Sequence, residues 1–130
     1  MMLKINIKTY QKYQIVDITD IVSSSIKTLE KKDGILILYV PHTTAGITIN
    51  ENYDPSVKED ILDFLNKLVP RNGNYKHLEG NADAHIKSSL IGSSIMLILE
   101  NGEIKLGRWQ GILFCEFDGP RQREVWIKVV

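Results

Sequence analysis

Cysteine is all but missing from this chain. A single Cys115 in 130 residues excludes an intrachain disulfide and any zinc site built from several thiolates. Net charge is missing as well: sixteen basic side chains cancel sixteen acidic ones, so no global field draws the chain to nucleic acid or an anionic membrane. The longest apolar runs, such as Ile35–Val40 and Ile95–Leu99, are too short to span a bilayer. The opening MMLKINIKTY alternates like a strand and has no unbroken apolar stretch of the signal-peptide kind. Together these absences predict a reduced, soluble, cytoplasmic protein with neither nucleic acid nor membrane as a partner. There is no P-loop and no dinucleotide fingerprint. G-x-S-x-G is absent too, and Ser93-Ser94 runs straight into an apolar strand, which sets a serine-hydrolase reading aside.

What is present is ordinary for a globular chain: 43% apolar and 25% charged residues. The length predicts one domain over residues 1–130, burying about two-thirds of the unfolded chain's surface. Leu3, Ile5 and Ile7 alternate with polar residues as in a half-buried strand, and Gln14–Ile18 reads as a second. Thr19 or Asp20 is placed to cap a helix carrying Ile21, Val22, Ile26 and Leu29 on one face. Ile35–Val40 and Thr43–Asn50 are strands broken by Pro41-His42, and Gly46 marks a bulge or a close approach to the backbone. Asp54-Pro55 starts a helix that ends before Pro70. Asp83 is placed to cap a short helix to about Leu90. Ile95–Leu99, a hairpin turn at Asn101-Gly102, Glu103–Leu106, Trp109–Phe117 and Glu124–Val130 supply the last strands. The order ββα ββα (short α) ββββ predicts an α+β fold, mostly antiparallel, with two main helices.

Three polar clusters stand out. Tyr75–Ser89 holds two of the three histidines, His77 and His85, with Glu79, Asn81 and Asp83 between them. Pro41–Asn52 puts His42, Thr43 and Thr44 at a strand break and Glu51 and Asn52 at the far end of the second strand. Three imidazoles, with Glu79 or Glu51 as carboxylate or base, would suit a divalent metal, although the spacing matches no local ligand motif. Free helix N–H groups near Ala84 and His85 would instead hold an anion, in competition with Asp83. In Gly107–Arg123, Glu116 lies in an apolar strand and so needs a partner. Arg121 and Arg123 are two apart: they either grip a phosphate together or form salt bridges to Glu116, Asp118 or Glu124. Cys115 and Trp109 read as packing residues.

Through HTTAGITINENYDPSV (His42–Val57), YKHLEGNADAHIKSSLIGSS (Tyr75–Ser94) and LGRWQGILFCEFDGPRQR (Leu106–Arg123), the chain resembles the YjbQ family, also called UPF0047 or the secondary thiamine-phosphate synthase family. The resemblance implies a β-sandwich-like core and a homotrimer with clefts near subunit boundaries. It also implies an activity joining a pyrimidine methyl diphosphate to a thiazole phosphate with release of pyrophosphate. On this likeness His42, His77 and His85 form the centre, on a divalent metal (Mg or Zn) or on phosphate directly. Glu51, Asp54 and Asp83 orient them or help hold Mg²⁺. Arg121, Lys87 and Arg123 neutralise the diphosphate beside Thr43 and Thr44, and Asn50 and Asn81 read the heterocycle. A metal-dependent hydrolase and a non-enzymatic phosphate- or metal-binding trimer are the alternative functions.

Overall fold

The computed structural model describes residues 1–130, with eight strands and three helices in the expected order. The strands are β1 (Met2–Lys8), β2 (Gln14–Asp17), β3 (Gly34–Tyr39), β4 (Ala45–Glu51), β5 (Ser94–Glu100), β6 (Glu103–Lys105), β7 (Gln110–Glu116) and β8 (Gln122–Val129). The helices are α1 (Thr19–Ile26), α2 (Pro55–Leu68) and α3 (Ala82–Ile91). They build a five-stranded sheet, β1-β8-β3-β5-β6, and a three-stranded sheet, β2-β7-β4, with every paired strand antiparallel. The fold is therefore α+β with two sheets, as expected. The helix beginning near Asp83 is ten residues long, longer than the eight of α1, so three helices rather than two carry the architecture.

Period-two alternation puts Leu36 and Leu38 of β3, Leu97 and Leu99 of β5 and Val125 and Ile127 of β8 on one inner face. They meet Ile47, Ile112 and Phe114 from the smaller sheet in one cluster of 17 buried side chains, which gives the core its sandwich character. α1 closes that cluster with Val22 and Ile26. Its predicted caps fail for a local reason. Asp17, one residue before Ile18, accepts hydrogen bonds from the Thr19 N–H (3.0 Å) and hydroxyl (2.6 Å), so neither Thr19 nor Asp20 caps the helix. Asp54 does cap α2, accepting from the Ser56 N–H at 2.9 Å ahead of Pro55. Asn101 (φ 53°) and Gly102 (φ 77°) make the tight turn between β5 and β6.

Gly46 fulfils its expectation of a close approach, and the approaching group belongs to the chain itself. A Cβ there would stand 2.8 Å from the Gly92 carbonyl, which accepts the Ile47 N–H at 3.0 Å. This contact brings the end of α3 against the start of β4, and so brings His85 toward His42. No helix is long and apolar enough to cross a membrane.

Candidate functional site

The sequence-distant histidines do converge. A recess of about 440 Å³ is lined by Pro41, His42, Thr43, Thr44, His77, Glu79, Asn81, His85, Arg121 and Arg123, every one but Pro41 polar or charged. A second polar recess of about 380 Å³ shares its wall at His42, Thr43 and His85, and Ser88, Ser89 and Ser93 line the rest with Ala45 and Gly92. A third groove, past His77 and His85, runs along Tyr75, Ala82 and Ile86. His85 borders all three openings.

Each histidine reaches this place by a different route. His42 stands at the break after β3, where Pro41 precludes a backbone N–H for continued pairing. His77 comes from the loop before α3, and its ring meets that of His85 edge-on at 5.0 Å between centroids. Glu79 lies 3.9 Å from His77, beyond hydrogen-bond length but within electrostatic reach. His85 sits in the second turn of α3, on the side toward β4.

Behind the open recess lie two buried ion pairs. Glu116 has no exposed surface and Arg123 only 4%, which answers the need for a partner in β7. Arg123 Nε donates to Glu116 at 2.9 Å and its Nη2 to both the other Glu116 oxygen and the Thr44 hydroxyl (2.8 Å). Thr9 and the Asp118 N–H complete the set around Glu116. Burial alone would raise the Glu116 carboxyl, but the hydrogen bonds from Arg123 and Thr9 outweigh it and hold the pKa below the usual range. Lys87 and Asp83 form the second pair at 2.7 Å, both fully buried. The Lys87 ammonium also donates to Asn66 (2.7 Å) and lies 4.3 Å from the centre of the Tyr13 ring, whose hydroxyl donates to Asp83. Burial, then this bond to Asp83, push the Tyr13 hydroxyl's pKa upward.

Several expectations change on this evidence of position. Asp83 is no helix cap: it lies two residues past the N-cap position, Asn81, and its Oδ2 accepts from Lys87 and Tyr13 inside the fold while Oδ1 is buried without a partner. Lys87 is likewise closed to a diphosphate, and Arg123 touches the recess only from within the Glu116 pair. The two arginines do not act as a twin grip. Arg121 precedes β8 and folds back on Asp118, with Nε to the carbonyl at 2.7 Å and Nη2 to the carboxylate at 3.0 Å. Its side chain is still 52% exposed, so it is the cation the recess can offer a ligand. Burial would raise Asp118, but hydrogen bonds from Lys12 and Asn81, with Arg121, pull it down to about 2.

Asn50, Glu51 and Asp54 are not brought here. β4 enters the site at Ala45, paired with Glu116, and leaves at Glu51, paired with Gln110. Six strand steps separate those ends by about 20 Å. Glu51 instead accepts the Asp54 N–H at 3.3 Å, beside a surface cluster of Tyr53, Trp109 and Arg108. Cys115 is buried and its thiol pushed up to about 12 by desolvation, so it is inert packing, as expected.

A metal held by the three imidazoles does not fit one chain. No three His, Cys, Asp or Glu side chains come together closely enough to hold a metal ion. Moreover, His42 Nε2 accepts the Glu124 backbone N–H at 2.9 Å, so that lone pair is already used. Of the expected carboxylate ligands, Asp83 is buried in an ion pair and Glu51 and Asp54 are at the far end of β4.

Comparison with known proteins places this geometry in a family. The family model described as "UPF0047 protein YjbQ-like" matches residues 3–130. The chain belongs to the YjbQ-like UPF0047 family. It is 58% identical to the UPF0047 protein MJ1081 of Methanocaldococcus jannaschii, over 100% of this chain and 94% of the relative. It is 47% identical to the UPF0047 protein YugU of Bacillus subtilis, over 100% and 99%. Among solved structures, a YjbQ/UPF0047 protein from Clostridium acetobutylicum superposes with a TM-score of 0.94 at 52% identity, covering 98% of this chain and 99% of that one. These names give a family and a fold and assign no reaction. Sequence reasoning missed the shared role of Gly92, which joins the end of α3 to β4, and of Ser88, which donates to the Thr43 carbonyl just before β4; the close approach at Gly46 was the one signal of it.

Proposed function

We propose that this chain is a small-molecule enzyme of the thiamine-phosphate synthase type, joining a pyrimidine methyl diphosphate to a thiazole phosphate and releasing pyrophosphate. The observation that carries the reading is the recess itself: three imidazoles and the half-exposed Arg121 share one lining in which Pro41 is the only apolar side chain. Such a lining suits a multiply charged oxyanion and offers little to a purely apolar ligand.

In this reaction the methylene–oxygen bond of the diphosphate ester breaks and its electron pair leaves with the diphosphate. The thiazole nitrogen supplies the pair for the new carbon–nitrogen bond. Negative charge gathers on the leaving oxygens, so donors and cations aimed there lower the barrier. Arg121 is pre-oriented by Asp118 for that task. His77 and His85 have ring nitrogens that make no hydrogen bond within the chain and are free to donate to the departing group. The groove beside Tyr75 and Ile86 is continuous with these two rings and provides a wall for a flat heterocycle.

The homotrimer belongs to the same proposal. The outer face of the larger sheet exposes Ile35, Tyr39, Met96 and Ile98, next to the half-buried Ile37 and Trp126. Register places Ile35 opposite Ile98, Ile37 opposite Met96 and Tyr39 opposite Trp126, so the apolar side chains are contiguous. Copies of the chain associating through this face would cover it. Sedimentation equilibrium of wild type and Met96→Glu tests this: the expected result is three times the 14.8 kDa chain mass, lost in the variant. For the activity, pyrophosphate release is followed with the two phosphorylated substrates at native enzyme levels. Turnover that survives unchanged in His77→Ala and His85→Ala would remove the proposal.

A further inference from the structure

The Glu124 backbone N–H donates to His42 Nε2 at 2.9 Å. A backbone amide is a permanent donor that never reverses, so Nε2 must carry a lone pair. The neutral ring's one proton then sits on Nδ1. Adding a second proton would set N–H against N–H and orphan a strand amide. Nδ1 makes no bond within the chain, and it is not among the sealed, unpartnered polar atoms. It therefore keeps exposed surface, and His42 borders two polar recesses.

The surroundings reinforce this assignment. The Arg123 guanidinium, fixed by Glu116 and Thr44, opposes a positive charge on the ring. Glu116 and Glu124 favour one, but Glu116 is committed to Arg123, and Glu124 accepts the Trp126 indole N–H at 2.9 Å. From the recess side the charged and titratable groups are Arg121, Glu79, His77 and His85. Burial first, then Arg123, lower the His42 pKa from its ordinary value.

We infer that His42 is a fixed, neutral hydrogen-bond donor that presents Nδ1–H to an oxyanion in the recess and takes no part in proton transfer. The buried Glu116–Arg123 pair is then a positioning device. It holds the ring in one tautomer and leaves proton delivery to His77 and His85. This deepens the proposed reaction and rests on it only for the identity of the ligand, since the tautomer is a property of the free protein.

The test is two-bond ¹H–¹⁵N correlation on protein with ¹⁵N-labelled histidine, the three rings being assigned from His→Gln variants. The expected result is an Nδ1–H pattern for His42 that stays unchanged from about pH 8 to about pH 5.5. An Nε2–H pattern, or protonation of His42 to imidazolium in that window, would overturn the inference. Inorganic pyrophosphate is then added to the same sample, with calorimetry to establish binding. His42 Nδ1 is expected to shift while keeping its proton. Pyrophosphate bound with Nδ1 unmoved overturns the donor role, whereas no binding at all counts against the proposed reaction and leaves the tautomer result standing. A His42→Asn variant supplies the remaining check, because its amide N–H can stand in for Nδ1–H. It should keep pyrophosphate affinity to within about tenfold, while His42→Phe loses more than that. Equal losses in the two would contradict a donor role.

Discussion

Two layers of charge lie within a few residues of each other at the end of the molecule where β4 meets α3. The outer layer is His77, His85 and Arg121, half open to solvent and with ring or guanidinium N–H groups to spare. The inner layer is Asp83 with Lys87 and Glu116 with Arg123, buried and bonded to Tyr13, Asn66, Thr9 and Thr44, with only Asp83 Oδ1 left without a partner. Both layers are built from the residue types that bind phosphates. Position alone separates them: alternate residues of α3, Asp83, His85 and Lys87, belong to different layers. A buried ion pair contributes little net stability against a well-packed apolar pair, yet breaking one leaves an uncompensated charge. The inner layer is therefore costly to disturb and the outer one cheap, which makes the comparison testable.

The largest effect is expected from Lys87→Met, which strands Asp83 in the core. It should cost about 3–5 kcal/mol in urea denaturation, much of it recovered when Asp83→Asn is added. A loss under about 1 kcal/mol would show that the inner layer is not sealed. His85→Ala should do the reverse, lowering turnover by about 10²–10⁴-fold while leaving the denaturation midpoint nearly unchanged. Comparable losses of stability and turnover would dissolve the distinction between layers. Arg121→Ala should weaken pyrophosphate binding by roughly 10–100-fold, the worth of a charge-assisted hydrogen bond.

Acid sharpens the comparison further. Asp118, which joins the layers by holding Arg121 and Asn81, has its carboxyl lowered to about 2. A depressed carboxylate stabilises the fold fully above its unfolded pKa near 3.9 and loses that contribution as pH falls toward about 2. Stability measured against pH should therefore fall in that window, and Asp118→Asn should flatten the fall. The smallest effect is expected from Glu51→Gln, at the far end of β4: less than about a twofold change in pyrophosphate affinity. A large loss would mean that another copy of the chain carries its Glu51 into this recess.

Much of this was legible in the chain. Period-two alternation in Leu3–Ile7 and the β-branched run after Pro41 gave strands, Asp54-Pro55 gave a cap, and a carboxylate inside ILFCEF announced a buried partner. The meeting of His42 with His77 and His85 was foreseen from family likeness. It depends on the Gly92 carbonyl reaching the Ile47 N–H, a contact between residues 45 apart that no local pattern encodes. What could not be read was which layer each polar residue joins. Lys87 and Arg121 look alike as letters. One is sealed because α3 turns it toward Tyr13, and the other is open because its segment ends before β8 begins. Glu51 groups with the histidines by type, as a carboxylate or base, but the extended strand that puts it at the far end from His42 keeps the two apart.

The measurement that bears most directly on the account is a calorimetric titration of inorganic pyrophosphate into wild type and the Arg121→Ala variant at fixed ionic strength. Saturable binding at one site per chain, weakened at least tenfold in the variant, is the predicted result. No binding to wild type, or equal affinity in both proteins, would contradict the claim that the outer layer is an oxyanion site.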